Sequence, residues 1–203
     1  MELDTVIREV QTALGITADG KPGPITWEAI HEHIIGQHAL SVQPVEVTGG
    51  TVDPRSEACI ITLHPRVQPY ARTLVQRAAA AGITIEIISG LRTYDEQTAL
   101  YAQGRSKPGS KVTNASAGYS NHNFGLAFDI GVWQSGKYLD DSPLYKAVAT
   151  IGIDLGLEWG GNWKSIQDQP HYQLRPDWAK DMPESTMLAE LRRRKDSGLA
   201  FYA

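Results

Sequence analysis

The chain has 203 residues, with 19 Lys and Arg against 23 Asp and Glu, a net charge of −4 and 41% apolar residues. That balance excludes a disordered chain, leaves no broad basic footprint for nucleic acid, and suits one ordinary domain plus a small appendage. The single cysteine, Cys59, excludes an intrachain disulfide and a cysteine-rich zinc site, so any bound metal must be held by histidines and carboxylates.

The opening MELDTVIREVQ has an acidic residue at position 2 and no continuous apolar stretch, and no later run approaches the ~18 apolar residues of a membrane span. The expectation is a chain made in the cytoplasm without a signal peptide and without membrane insertion. Val6, Ile7, Val10, Ala13 and Leu14 recur at helical spacing, and Gly15 ends that helix. Ala18 to Pro24 is dense in turn formers, and Pro24 suits the first position of a second helix through Ile25, Trp27, Ala29, Ile30 and Ile34. VQTALGITADGKPGPITWEAI, with its Leu14-Gly15, Asp19-Gly20, Gly23-Pro24 and Thr26-Trp27 pairs, resembles the peptidoglycan-binding-like repeat of cell-wall hydrolases over roughly residues 4–36. The resemblance implies wall binding; the residues alone ask only for a helical hairpin that packs on its neighbour.

Pro44, Gly49-Gly50 and Pro54 interrupt any periodicity over 39–57, which reads as a linker. Beyond it the pattern predicts a helix over 65–81 stopped by Gly82, a β-branched strand over 83–88 and a helix over 94–102. A strand over 125–132, a helix over 144–155 and a short strand over 172–174 follow. Met187, Leu188 and Leu191 mark a last helix, whose basic Arg192 to Lys195 run complements the helix dipole. The expected organisation is a helical module over 1–38, the linker over 39–57, a main domain over 58–180 and a C-terminal helix or tail over 181–203. Helices and strands alternate without a regular βαβ repeat, which favours α+β over a doubly wound sheet.

The candidate chemistry begins in SNHNFGLAFD. His122 and Asp129 stand seven apart, and on one strand they would point to opposite faces. Both reach one ion only if His122 sits in the loop entering the strand, for which Ser-Asn-His-Asn is suited and Gly125 permits the bend. Alternation then sends Leu126 and Phe128 to the core and Ala127 and Asp129 to the other face. A third element, DQPHYQL, carries Asp168 and His171, with Pro170 fixing the backbone before the histidine. Two histidines and one carboxylate make a catalytic zinc set whose fourth position is left open. Asp168 is placed to take and return the proton, with Glu158 the alternative base.

SGLRTYDEQTALY, SNHNFGLAFDIG, GLEWGGNW and DQPHYQL, in that order over roughly residues 60–176, resemble the zinc D,D-/L,D-peptidase family. It includes VanY-type D-alanyl-D-alanine carboxypeptidases and phage L-alanyl-D-glutamate endopeptidases. The resemblance implies a small antiparallel sheet with flanking helices around Zn2+, His122, Asp129 and His171 as its ligands, and Asp168 as general acid/base. It also implies that Arg92 polarises the scissile carbonyl or holds the oxyanion, and that Gln97 orients substrate or Arg92. Ser120 would donate to the ligand histidine or to a substrate carboxylate. Trp159 and Trp163 would wall a peptide groove or serve as core aromatics. His31, His33, His38 and His64 have no partner at ligand spacing.

The expected activity is cleavage of the peptidoglycan stem peptide by zinc-activated water, with L-alanyl-D-glutamate endopeptidase ahead of D-alanyl-D-alanine carboxypeptidase, on the endolysin-like GLEWGGNW and on Asp168. A monomer acting on the wall after release is expected. The rival from another class is a non-catalytic wall-binding zinc protein, which the complete ligand and acid set opposes. A closed structural zinc site would need a fourth protein ligand, and none is evident.

Overall fold

Proline or capping chemistry sets where most of the helices begin. The structure, a computed structural model, describes residues 2–41, 50–164 and 167–203, the side chains of 32 and 34–41 excepted. Positions 42–49 of the expected linker and the side chain of His38 lie outside the described residues. The chain divides into two compact units, Met1–Glu46 and Val47–Ala203. Among the described residues no helix is long and apolar enough to cross a membrane.

In the first unit, α1 (Leu3–Ala13) and α2 (Pro24–Ser41) flank the turn-rich segment. That segment is organised by Gln11, only 2% exposed. Its amide nitrogen donates to Asp19 Oδ1 at 2.7 Å and Thr26 Oγ1 at 2.9 Å, and its oxygen accepts from the Gly20 N–H at 2.8 Å. A buried amide with all its partners satisfied fixes the turn where a short hairpin has little core to do so.

The second unit opens with α3 (Pro54–Ile60), inside the stretch expected to be linker. Asp53 caps it by accepting from the Arg55 and Ser56 N–H groups, with Pro54 at the first helical position. Then come α4 (Gln68–Ala80), β1 (Thr84–Ser89) and α5 (Tyr94–Ala102). A reciprocal capping box between Thr93 and Glu96 starts α5. A 3-10 turn over Asn121–Phe124 leads into β2 (Ala127–Gln134) and β3 (Lys137–Leu139). The order finishes with α6 (Leu144–Asp154), β4 (Glu158–Trp159), β5 (His171–Gln173) and α7 (Glu184–Asp196).

The sheet is antiparallel in the order β1-β2-β5-β4, with β3 added to β2. Alternation along β2 buries Phe128, Ile130 and Val132 at 0% exposure and turns Asp129 to the opposite face. α4 and α6 cover the apolar side with Leu74, Ala78 and Val148. The C-terminal segment is no appendage. Met187, Leu188 and Leu191 of α7 form a second apolar cluster with Phe124 and Leu126, on the strand entry itself. Their spacing gives α7 one apolar stripe, which must be covered.

Candidate metal centre and its cleft

His122 reaches the sheet because Gly125 turns the chain. Gly125 has φ +68°, the left-handed region open to glycine, and its Cβ position would lie 2.8 Å from the His64 backbone nitrogen. The turn donates the Gly125 N–H to the His122 carbonyl at 3.2 Å, so the loop ends with His122 folded back over β2. On the sheet, Asp129 pairs with Ser89 on one side and with His171 on the other. Directly opposed residues share a face, so strand register alone brings Asp129 and His171 together.

The three donor atoms form a nearly equilateral triangle. His122 Nε2 to Asp129 Oδ1, His171 Nδ1 to Asp129 Oδ1, and His122 Nε2 to His171 Nδ1 are each 3.3 Å. Each histidine spends its other nitrogen elsewhere: His122 Nδ1 donates to the Gly90 carbonyl at 2.8 Å and His171 Nε2 to Gln173 Oε1 at 3.0 Å. Those donations leave the facing nitrogens with lone pairs, so three acceptors converge on one point, a geometry that asks for a cation. Metal–ligand bonds of ~2.0–2.2 Å at tetrahedral angles put neighbouring ligand atoms about 3.3–3.5 Å apart, so the residues fit zinc.

Without an ion between them, the same close contacts shift the titrating groups. Burial pushes the Asp129 carboxyl up, but His122 and His171 outweigh it and hold it well below the usual carboxylate range. Burial pulls His171 down, yet the hydrogen bond and charge of Asp129 leave it raised. Arg92 secures the second oxygen, donating from Nη2 to Asp129 Oδ2 at 2.8 Å and to Ser89 Oγ at 3.1 Å, and from Nη1 to Gln97 Oε1 at 3.3 Å.

The triad lies in a cleft of about 1410 Å³ that also takes in Arg92, Ser120, Trp159, Trp163 and Asp168. Asp168 is half-buried, and burial, reinforced by the Asp129 charge, raises its carboxyl above the usual range. Gly160 lets this segment close down: its Cβ position would stand 2.5 Å from the Asp168 carbonyl and 3.0 Å from His171 Cβ. Trp163 is 37% exposed, with its ring centroid 4.8 Å from that of His171. Trp159 is nearly buried, its Nε1–H donating to the Gln169 carbonyl at 2.7 Å.

Two further candidates lie outside the triad. Gln97 is fully buried, its oxygen accepting from Arg92 and its nitrogen donating to the Ala115 carbonyl at 2.7 Å, so it sits behind Arg92 and away from the cleft. Glu158, the alternative base, is bound to Arg175 at 2.5 Å and accepts from Gln173 Nε2 at 2.6 Å. Both Glu158 oxygens are thus engaged by donors within the protein. His64 packs against Tyr202 at 4.8 Å, and His31 and His33 are exposed.

Three polar residues around the triad were not singled out from the sequence. Gln173 was within reach of it, because a residue two beyond a ligand on a strand shares its face. Arg175 and Glu184, joined by an ion pair of 2.6 Å, carry no local signal.

The sequence model for VanY, D-alanyl-D-alanine carboxypeptidase, matches residues 60–171. The peptidoglycan L-alanyl-D-glutamate endopeptidase CwlK of Bacillus subtilis (strain 168) is 39% identical over 125 residues, which cover 57% of this chain and 75% of that protein. The L-alanyl-D-glutamate peptidase of Listeria phage A118 is 31% identical over 124 residues, 59% of this chain but only 41% of the phage protein. Among solved structures, the L-Ala D-Glu endopeptidase ChiX of Serratia marcescens aligns with a TM-score of 0.45 and 25% identity, covering 64% of this chain and 93% of that one.

Proposed function

The chain belongs to the VanY D-alanyl-D-alanine carboxypeptidase family, and on that premise we propose that it is a zinc peptidase that cuts the L-alanyl-D-glutamate bond of the peptidoglycan stem peptide. The observation that carries the metal is the convergence of three lone pairs at 3.3 Å from His122, Asp129 and His171. The choice of bond rests on the bacterial and phage relatives, both named as peptidases of that bond. When bound, zinc supplies Lewis acidity to a carbonyl oxygen and to water.

The protein groups supply the rest. Asp168, whose carboxyl is raised by burial, takes a proton from the attacking water and returns it to the leaving amine. Arg92 holds Asp129 so that Oδ1 faces the histidines, and its Nε–H and one Nη1–H, which have no partner among the described residues, serve the developing oxyanion. Gln97 positions Arg92. Ser120, Trp163 and the edge of Trp159 line the cleft that takes the peptide. The first unit serves as a wall-binding module, and the enzyme acts as a monomer.

Mass spectrometry of peptidoglycan digested by the purified protein names the bond. New N-terminal D-glutamyl ends are expected. Release of terminal D-alanine would instead assign the D-alanyl-D-alanine activity for which the family is named. Intact muropeptides in the presence of stoichiometric zinc would refute a peptidase.

A further inference from the structure

A carboxamide has two ends, an acceptor and a donor pair, and what it meets decides which end faces a ligand. Gln173 is 2% exposed and sits beside Ala127 on β2 and Glu158 on β4, one row along the sheet from Asp129 and His171. Its oxygen accepts from His171 Nε2–H at 3.0 Å and from Asn121 Nδ2 at 2.6 Å. Its nitrogen donates to Glu158 Oε2 at 2.6 Å and to Glu184 Oε1 at 3.5 Å. Turned over, the amide would set N–H against N–H at Asn121 and oxygen against carboxylate at Glu158, so only one orientation is satisfied.

The two carboxylates are themselves fixed. Arg175 donates from Nε to Glu158 Oε1 at 2.5 Å, and from Nη2 to Glu158 Oε2 at 3.2 Å and Glu184 Oε2 at 2.6 Å. Asn121, next to His122 and 4% exposed, closes the ring by donating to Glu184 as well as to Gln173. Strand β4, strand β5, the His122 turn and helix α7 therefore meet at one amide.

We propose that Gln173 is a positioning residue that fixes His171 as an Nδ1 ligand, with Glu158 and Glu184 acting by locking the orientation of the Gln173 carboxamide. The proposal rests on the metal reading above. An imidazole whose Nε2–H has a buried acceptor keeps the proton there and presents Nδ1 to the ion, while its ring is held against rotation. The role extends into α7, so the last helix takes part in the metal centre through Glu184.

The test is zinc affinity, measured by competition with a chromophoric chelator, together with the ring ¹⁵N signals of His171 in the zinc-loaded protein. Gln173→Leu removes both ends of the amide and is expected to weaken zinc about 10–100-fold, the range for outer partners of a ligand histidine. The wild type is expected to show a protonated Nε2 and a metal-bound Nδ1. Gln173→Glu keeps an acceptor for His171 but sets two carboxylates together, so it too is expected to lose affinity. Adding Glu158→Gln removes that carboxylate pair and restores a donor opposite residue 173, and is expected to recover most of the loss together with the protonated Nε2 and metal-bound Nδ1 signals of His171, a joint recovery that a purely structural role does not predict. Gln173→Leu binding zinc within about twofold of wild type overturns the proposal. If that variant does not fold, failure of Glu158→Gln to rescue Gln173→Glu overturns it. Absence of zinc binding by wild-type protein overturns the metal reading itself, and the proposal with it.

Discussion

Replacing Gly125 by alanine tests how firmly the His122 turn is built. Two costs combine there. Placing an L-residue at φ +68° costs ~1–2 kcal/mol. The added Cβ would also stand 2.8 Å from the His64 backbone nitrogen and 3.4 Å from the Leu63 carbonyl carbon, neighbours that are main chain and cannot swing aside. That nitrogen donates to the Gly125 carbonyl at 3.0 Å, so any retreat also weakens a hydrogen bond. Overpacking of this kind costs about 1–3 kcal/mol, giving a total of ~2–5 kcal/mol.

Gly82 supplies the control. It has φ +77° with nothing within 4 Å of its Cβ position, and it lies at the far end of β1 from Ser89. Gly82→Ala therefore carries the conformational cost alone, ~1–2 kcal/mol. Urea unfolding of the zinc-free variants gives both numbers, and chelator competition gives zinc affinity. Gly125→Ala is expected to lose more stability than Gly82→Ala and to weaken zinc, while Gly82→Ala leaves zinc unchanged. Equal losses of stability, with zinc affinity intact in both, would refute the claim that close approach at Gly125 holds His122 in place.

Asp168→Asn is expected to retain zinc and lose at least ~10²-fold in kcat; near-normal turnover would remove Asp168 as the proton carrier. Its stability effect has a definite sign. Because burial raises the folded-state pKa of Asp168, ionising it opposes folding, a cost absent below the unfolded pKa and fully present above the folded one. Zinc-free Asp168→Asn is therefore expected to be no less stable than the zinc-free wild type at pH 7 by thermal melting, and a clear loss would contradict the raised pKa. A base must be ionised, so kcat/KM is expected to fall on the acid side as Asp168 is protonated, and this limb disappears with Asp168→Asn. Deleting residues 1–46 is expected to weaken pull-down by insoluble peptidoglycan more than hydrolysis of a soluble muropeptide. Equal loss of both would favour a hairpin that serves only to pack.

Local signals were strong where chain neighbours decide the outcome. Apolar periodicity marks α1, α4 and α6, and the β-branched run marks β1, because the burial of each stripe or strand face is written at its own spacing. The two-residue β4 and three-residue β3 are too short for any period, and α3 hid in a stretch that reads as linker because of its prolines and glycines. In the site, the SNHNFGLAFD and DQPHYQL motifs named His122, Asp129, His171 and Asp168, and the need for His122 to precede the strand followed from the two-residue alternation.

The sequence by itself therefore singled out the residues that the structure gathers at the centre and determined which face of β2 bears the carboxylate, since both follow from residue type and a fixed period. Only the tertiary structure decided what holds those residues. Gln97 proved to be a buried support for Arg92, Glu158 a partner of Arg175 and Gln173, and α7 part of the core and of the metal surroundings. Such contacts join residues far apart in the chain, 63 positions in the case of Asn121 and Glu184. The partner of a buried polar group is set by strand register and helix docking, and those are settled by the whole core at once.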